Sequence, residues 1–151
     1  MLNQDFKEFA ALLNSTKVEY LIVGGYALAA YGRPRYTGDL DIWLRSTPEN
    51  AARLIEALAQ FGFGSLGLSI ADFSKPNSVV QLGFPPARID LLTSIDGVEF
   101  DDCFSRRLLM EIDGLSLPFI GMQEFRKNKL ASGRMRDLAD LESLNQPPGQ
   151  K

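Results

Sequence analysis

From Asp39 to Leu44 the chain reads Asp-Leu-Asp-Ile-Trp-Leu, an alternation that an extended strand sorts onto two faces. Successive side chains of a strand point to opposite sides, so Asp39 and Asp41 share one face while Leu40, Ile42 and Leu44 share the other. One strand therefore presents two carboxylates to a single site. Just upstream, Val18 to Val23 is a nearly continuous apolar run, as expected of a strand buried on both faces, and it stops at Gly24-Gly25. A glycine pair between a strand and a helix lets backbone N–H groups approach phosphate oxygens with no Cβ in the way. Such a pair also suits an ordinary tight turn. Its place ahead of the paired acids favours the phosphate reading.

A third acid follows in Arg88-Ile89-Asp90-Leu91-Leu92. A lone carboxylate on an otherwise buried strand is costly, and a bound cation offsets that cost. Two hard-oxygen ligands from one strand and a third from a neighbour can hold one or two Mg²⁺ ions, roughly 3.5 to 4 Å apart in two-metal sites, for in-line attack at phosphorus. The reaction class this pattern predicts is nucleotidyl transfer, with Asp39, Asp41 and Asp90 expected as catalytic and metal-binding residues. The alternative for Asp39 and Asp41 is a half-exposed strand whose acids face water.

The 151-residue chain has no histidine and a single cysteine, Cys103. That removes Ser-His-Asp and Cys-His nucleophile pairs, a structural zinc site and any internal disulfide. Cys103 reads as core packing, and the lone thiol fits a reducing compartment. With 45% hydrophobic and 23% charged residues, composition predicts one globular domain over residues 1–145 and a flexible tail over 146–151. The N-terminal stretch carries acids and no sustained apolar run, so neither a leader nor a membrane span is expected, and a cytoplasmic location is inferred. A net charge of −3 argues against a general positive coat for nucleic acid, leaving local basic clusters to make any RNA contact.

Periodicity predicts helices from about Asn3 to Asn14, from Tyr26 to Tyr31 and from Thr47-Pro48-Glu49 to Gly62, with Asn3 and Thr47 as caps. Strands are expected at Val79 to Gly83 and Arg88 to Thr93, and two further helices at Gly121 to Ser132 and Met135 to Asn145. No element is assigned between these last strands and helices. Strands that alternate with helices early and pair later predict a mixed α/β sheet with helices on one or both faces.

Gly24-Gly25, thirteen residues and then Asp39-Leu-Asp41 match the signature of the nucleotidyltransferase superfamily. More finely, Gly-Gly-Tyr-Ala-Leu, Arg35-Tyr-Thr37-Gly-Asp39-Leu-Asp41, Arg88-Ile-Asp90-Leu and Lys129-Leu-Ala-Ser-Gly133-Arg134-Met-Arg136-Asp137-Leu-Ala-Asp140 resemble the AbiEii-type toxin group of minimal nucleotidyltransferases. The resemblance implies the polymerase β-like nucleotidyltransferase fold, a small mixed sheet flanked by helices, with C-terminal helices. It implies use of NTP and Mg²⁺, a tRNA or other RNA acceptor, and a cognate antitoxin. Against that group the chain is short, which leaves small hydroxylated molecules and proteins open as acceptors, and a nucleotide- or partner-binding module without turnover as a reading of another class.

By the same analogy Asp39 and Asp41 bind the ion that carries the triphosphate, and Asp90 sits nearest the attacking hydroxyl as base or only as ligand. Gly24, Gly25, Arg35, Thr37, Lys129 and Arg134 are the nucleotide-binding candidates. Arg35 and Thr37 precede the acids, where a guanidinium meets phosphate charge and a hydroxyl orients a carboxylate. Lys129, Arg134 and Arg136 gather with Arg126 and Lys127 near Gly133 to grip triphosphate or an RNA backbone, or simply form a solvated helix end. Asp137 and Asp140 read as groups that orient cations. Trp43, on the acid face, either borders the nucleotide pocket or packs in the core.

Overall fold

In the computed structural model, which describes residues 2–32, 38–84 and 86–145, Asn3 caps the first helix by accepting a hydrogen bond from Phe6 N–H at 2.9 Å. That helix, α1 (Gln4–Ser15), buries Phe6, Phe9, Ala10 and Leu13, the one stripe that helical spacing puts on a single face. Lys17 at positive φ turns the chain into β1 (Tyr20–Val23), whose four residues are all buried. Next come α2 (Gly24–Ala30), β2 (Asp39–Leu44) and α3 (Pro48–Gln60). Thr47 caps α3 with proline in its first turn, as the sequence predicts.

Buried Asn50 ties the start of β1 to the end of β2. Its amide donates to the carbonyls of Glu19 at 2.9 Å and Arg45 at 3.0 Å, and its oxygen accepts from Glu19 N–H at 2.7 Å. After two short 3₁₀ turns at Gly64–Leu66 and Ile70–Phe73, the antiparallel pair β3 (Val79–Leu82) and β4 (Arg88–Leu92) follows. The remainder is α4 (Phe100–Ser105), the hairpin β5 (Leu108–Ile112) and β6 (Leu115–Phe119), then α5 (Met122–Ser132) and α6 (Met135–Leu144).

The six strands form one mixed sheet in the order β3-β4-β2-β1-β6-β5. β1 is antiparallel to β2 and parallel to β6, and β2 is parallel to β4. The mixed sheet flanked by helices expected from the sequence is the observed fold. Leu40, Ile42 and Leu44 join Ile22, Ile89 and Leu91 in a core shared with Phe6, Phe9 and Leu13 of α1 and Leu54, Ala57 and Leu58 of α3. Burying each such side chain contributes about 1.5 to 3 kcal/mol, so the aliphatic face fixes the register of β2 and thereby the direction of its acids.

Two differences from the sequence reading matter. The helix expected from Tyr26 begins at Gly24, so the glycine pair forms its first turn instead of preceding it. The unassigned stretch before α5 holds α4 and the β5–β6 hairpin, turned by Asp113 and Gly114 at φ 54° and 82°. The expected flexible tail lies outside the described residues. Among the described residues no helix is long and apolar enough to cross a membrane.

Candidate active site

The parallel register of β2 and β4 sets Asp41 directly beside Asp90 and Asp39 beside Arg88. Laterally paired residues point to the same face, so three acids and one guanidinium meet there. Arg88 Nη2 donates to Asp39 Oδ2 at 2.6 Å and to Asp90 Oδ2 at 3.1 Å, while its Nε donates to Asp90 Oδ1 at 3.0 Å. One arginine thus joins two of the three carboxylates, with a fork on Asp90.

Among the described residues, no arginine fork of this kind reaches Asp41. Burial, then the charges of Asp90 and Asp39 and a hydrogen bond with Asp90, push its carboxyl up to about 7, against a small opposing pull from Lys129. A cation brought among these carboxylates would remove that penalty.

Gly24 faces Asp41 across a gap that admits no side chain. A Cβ on Gly24 would fall 2.1 Å from Asp41 Oδ2, and the residue sits at φ +68°, where non-glycine residues are strained. The bare backbone therefore lies against the acid. Gly25 is buried one position further along α2.

The end of α5 and the first turn of α6 bring Lys129 and Arg134, each paired with acids, to the cavity that Asp41 also lines. Lys129 is buried and donates from Nζ to Asp137 Oδ1 at 3.0 Å and pairs with Asp140 Oδ2 at 3.0 Å. Asp137 also accepts from Ser132 Oγ and from Arg134 Nε at 2.7 Å. Burial opposes ionisation of Asp137, but its hydrogen bonds to Ser132, Arg134 and Lys129 prevail and hold its carboxyl down at about 2. Asp137 and Asp140 hold basic groups in place, and Gly133 at φ 64° closes the helix that carries Lys129. Gly24, Asp41, Asn128, Lys129 and Arg134 line one cavity of about 390 Å³. The Arg134 side chain remains 76% exposed.

Of the residues singled out in the sequence, Asp39, Asp41, Asp90, Gly24, Lys129 and Arg134 converge on this region. Arg35 and Thr37 lie outside the described residues. Arg126 turns away, donating to the Leu144 carbonyl at 3.0 Å, and Lys127 lines a separate cavity beside Cys103. Trp43 is 2% exposed and packs edge-on against Phe100 at 5.2 Å, so it belongs to the core and offers no stacking surface. Cys103 is buried, and burial pushes its thiol up to about 12. Arg88 is the residue that the sequence reading left without a role, although its i, i+2 spacing from Asp90 already places both on one strand face.

Among the described residues no three His, Cys, Asp or Glu side chains form a ready-made cation cage. The Arg88 guanidinium already occupies Asp39 and Asp90. The donor set nevertheless fits Mg²⁺: three carboxylates on one face, hard oxygens throughout, and one acid whose charge is disfavoured in the absence of a further cation.

No family model and no curated protein matches the chain. Among solved structures it is similar to a candidate nucleotidyltransferase from Thermotoga maritima, at a TM-score of 0.64 and 16% identity over 95% of this chain and 94% of that one. It is also similar to an antigenic nucleotidyltransferase-like protein from Paracoccidioides brasiliensis, at a TM-score of 0.54 and 21% identity, covering 93% of this chain and 74% of the other. At such identities the likeness establishes the fold: the chain has the fold of nucleotidyltransferase-like proteins.

Proposed function

We propose that the chain is a Mg²⁺-dependent nucleotidyltransferase that moves a nucleoside monophosphate from an NTP to a hydroxyl of RNA, with tRNA the first candidate. The observation that carries this reading is the register of Asp41 beside Asp90, on the face that also presents Asp39, with the bare backbone of Gly24 against Asp41. The toxin-like motifs support an RNA acceptor, an antitoxin partner and a cytoplasmic setting.

In this reading the Gly24 backbone, Lys129 and Arg134 bind the triphosphate in their shared cavity. Asp39, Asp41 and Asp90 would hold Mg²⁺, which would supply charge to neutralise phosphate oxygens and lower the pKa of an incoming hydroxyl. Asp90 orients that hydroxyl. Its oxygen forms a bond to the α-phosphorus, the bond from that phosphorus to the α,β-bridging oxygen breaks, and pyrophosphate leaves with the electron pair. The hydroxyl proton passes to Asp90 or to solvent. Asp137 and Asp140 keep Lys129 in place, and Arg88 would have to release Asp39 and Asp90 for those acids to act as ligands.

The test is transfer of label from each α-labelled NTP, with Mg²⁺, into total RNA and total protein by the intact chain and by Asp39→Asn. Label in small RNA that vanishes in the variant supports the reading. Label in protein moves the acceptor to a hydroxyl on a polypeptide. Absence of label in both pools, with Mg²⁺-dependent NTP binding intact, favours a small-molecule acceptor or a nucleotide-binding module.

A further inference from the structure

The acid cluster has a second cavity beside it, at the opposite end of β4. The cavity that holds Lys129 and Arg134 is lined by Leu92, the last residue of that strand, while a cleft of about 550 Å³ is lined by Arg88, the first. The two differ in chemistry. The first is polar and mixed in charge, with Lys129, Arg134 and Asn128 beside Asp41, Asp96 and Asp137, whereas the second is walled by Phe63, Leu66, Leu82 and Phe84, with Gln81 and Arg88 as its polar groups.

Phe84 is 84% exposed and Leu66 52% exposed, both beside an arginine that holds two of the acids. Phe84 is not on a loose end. Its carbonyl accepts from Ala87 N–H at 2.8 Å, and Gly83 before it sits at φ +76°. Gln81 registers opposite Asp90 in the antiparallel pair, so its exposed amide side chain stands on the same face as that carboxylate. An apolar wall that includes an exposed aromatic ring, an amide beside it and an adjacent guanidinium are the groups that recognise an unpaired nucleobase by stacking and by hydrogen bonds to its edge.

In-line displacement places the incoming hydroxyl on the side of the phosphorus away from pyrophosphate. With the triphosphate at the Gly24–Lys129 end, the acceptor arrives from the Arg88 end. We propose that the Phe84 cleft seats the terminal base of a single-stranded RNA acceptor, stacked on Phe84 with its edge read by Gln81. This assignment rests on the nucleotidyltransferase reading and names the acceptor side of the same site.

The experiment uses the full chain and a hexaribonucleotide carrying 2-aminopurine at its 3′ end, whose fluorescence is quenched on stacking, alongside 2-aminopurine riboside triphosphate as the donor-side probe. Phe84 is exposed, so Phe84→Ala is expected to fold normally. The expected result is saturable quenching of the oligonucleotide that weakens at least about tenfold in Phe84→Ala, with triphosphate binding unchanged. In Gln81→Ala, affinity is expected to depend less on the identity of the terminal base. Oligonucleotide binding that is absent, or equal in Phe84→Ala, overturns the proposal. Weakened triphosphate binding with unchanged oligonucleotide binding also overturns it, and places the donor's base in the cleft. Quenching that depends on Phe84 in a chain that transfers no label would overturn only the catalytic reading, and transfer to RNA without such quenching would overturn only the base site.

Discussion

Gly24 and Asp41 approach so closely that a β-carbon on the glycine would fall 2.1 Å from the aspartate's Oδ2. The contact joins the first residue of α2 to the acid strand and leaves room for backbone alone. Gly24→Ala meets both this clash and a positive φ, and strain of that kind costs on the order of 1 to 3 kcal/mol. The variant is expected to melt several degrees lower and to lose NTP binding by calorimetry more severely than its stability loss explains. Unchanged affinity would remove Gly24 from the site.

Asp41 is kept at the expense of stability. With its carboxyl pushed up to about 7 in the fold against 3.8 ordinarily, its ionisation opposes folding at alkaline pH. Asp41→Asn removes that charge, so the metal-free variant should be more stable than the parent at pH 8, by at least about 1 kcal/mol, while losing transfer. Thermal melts in EDTA check the first half, and a lower melting temperature would contradict the account of a strained acid.

Arg88 and a divalent cation compete for the same carboxylate oxygens. In Arg88→Ala, Mn²⁺ binding without nucleotide, read by the loss of its free-ion spin-resonance signal, should strengthen by roughly tenfold, a change of about 1.4 kcal/mol. Arg88→Lys should fall between, since an ammonium cannot reproduce the fork on Asp90. Weaker Mn²⁺ binding in Arg88→Ala would mean that the arginine shapes the acid cluster instead of blocking it.

Asp137 stabilises the fold in the opposite pH direction. Its carboxyl is held at about 2 against 3.8 unfolded, so its contribution is fully present above the unfolded value and is lost as pH falls through about 2. Asp137→Asn should cost about 2 kcal/mol near neutrality and flatten the acid limb of the stability curve between pH 4 and 2. Denaturant unfolding across pH measures both effects. Because Asp137 also holds Lys129 and Arg134, the same variant should weaken NTP binding.

The parts of this site that lie along one strand were legible in the sequence. Alternation alone placed Asp39 and Asp41 on one face, and an acid among Ile89, Leu91 and Leu92 marked Asp90. The register that sets Asp41 beside Asp90 was not legible, because β2 and β4 pair across α3 and β3 through backbone groups that carry no residue identity. The grip of Arg88 on Asp39 follows from that register and was hidden with it. The β5–β6 hairpin was missed despite its Asp113-Gly114 turn, a strong hairpin signal, because Pro118 interrupts the strand pattern and the flanking residues alternate poorly. Trp43 shows the converse limit: alternation gave its face correctly, but only the packing of Phe100 reveals that this part of the face is covered.

The most direct test of the central claim is pyrophosphate release from NTP in the presence of RNA, with and without Mg²⁺, by the parent chain and by Asp39→Asn, Asp41→Asn and Asp90→Asn. The account predicts one pyrophosphate per nucleotide incorporated, strict dependence on Mg²⁺, and a loss of at least about a thousandfold in each variant, of the size expected when a transition-state charge partner is removed. Pyrophosphate release that survives loss of Asp39 and Asp41 would contradict it, as would release of inorganic phosphate in place of pyrophosphate.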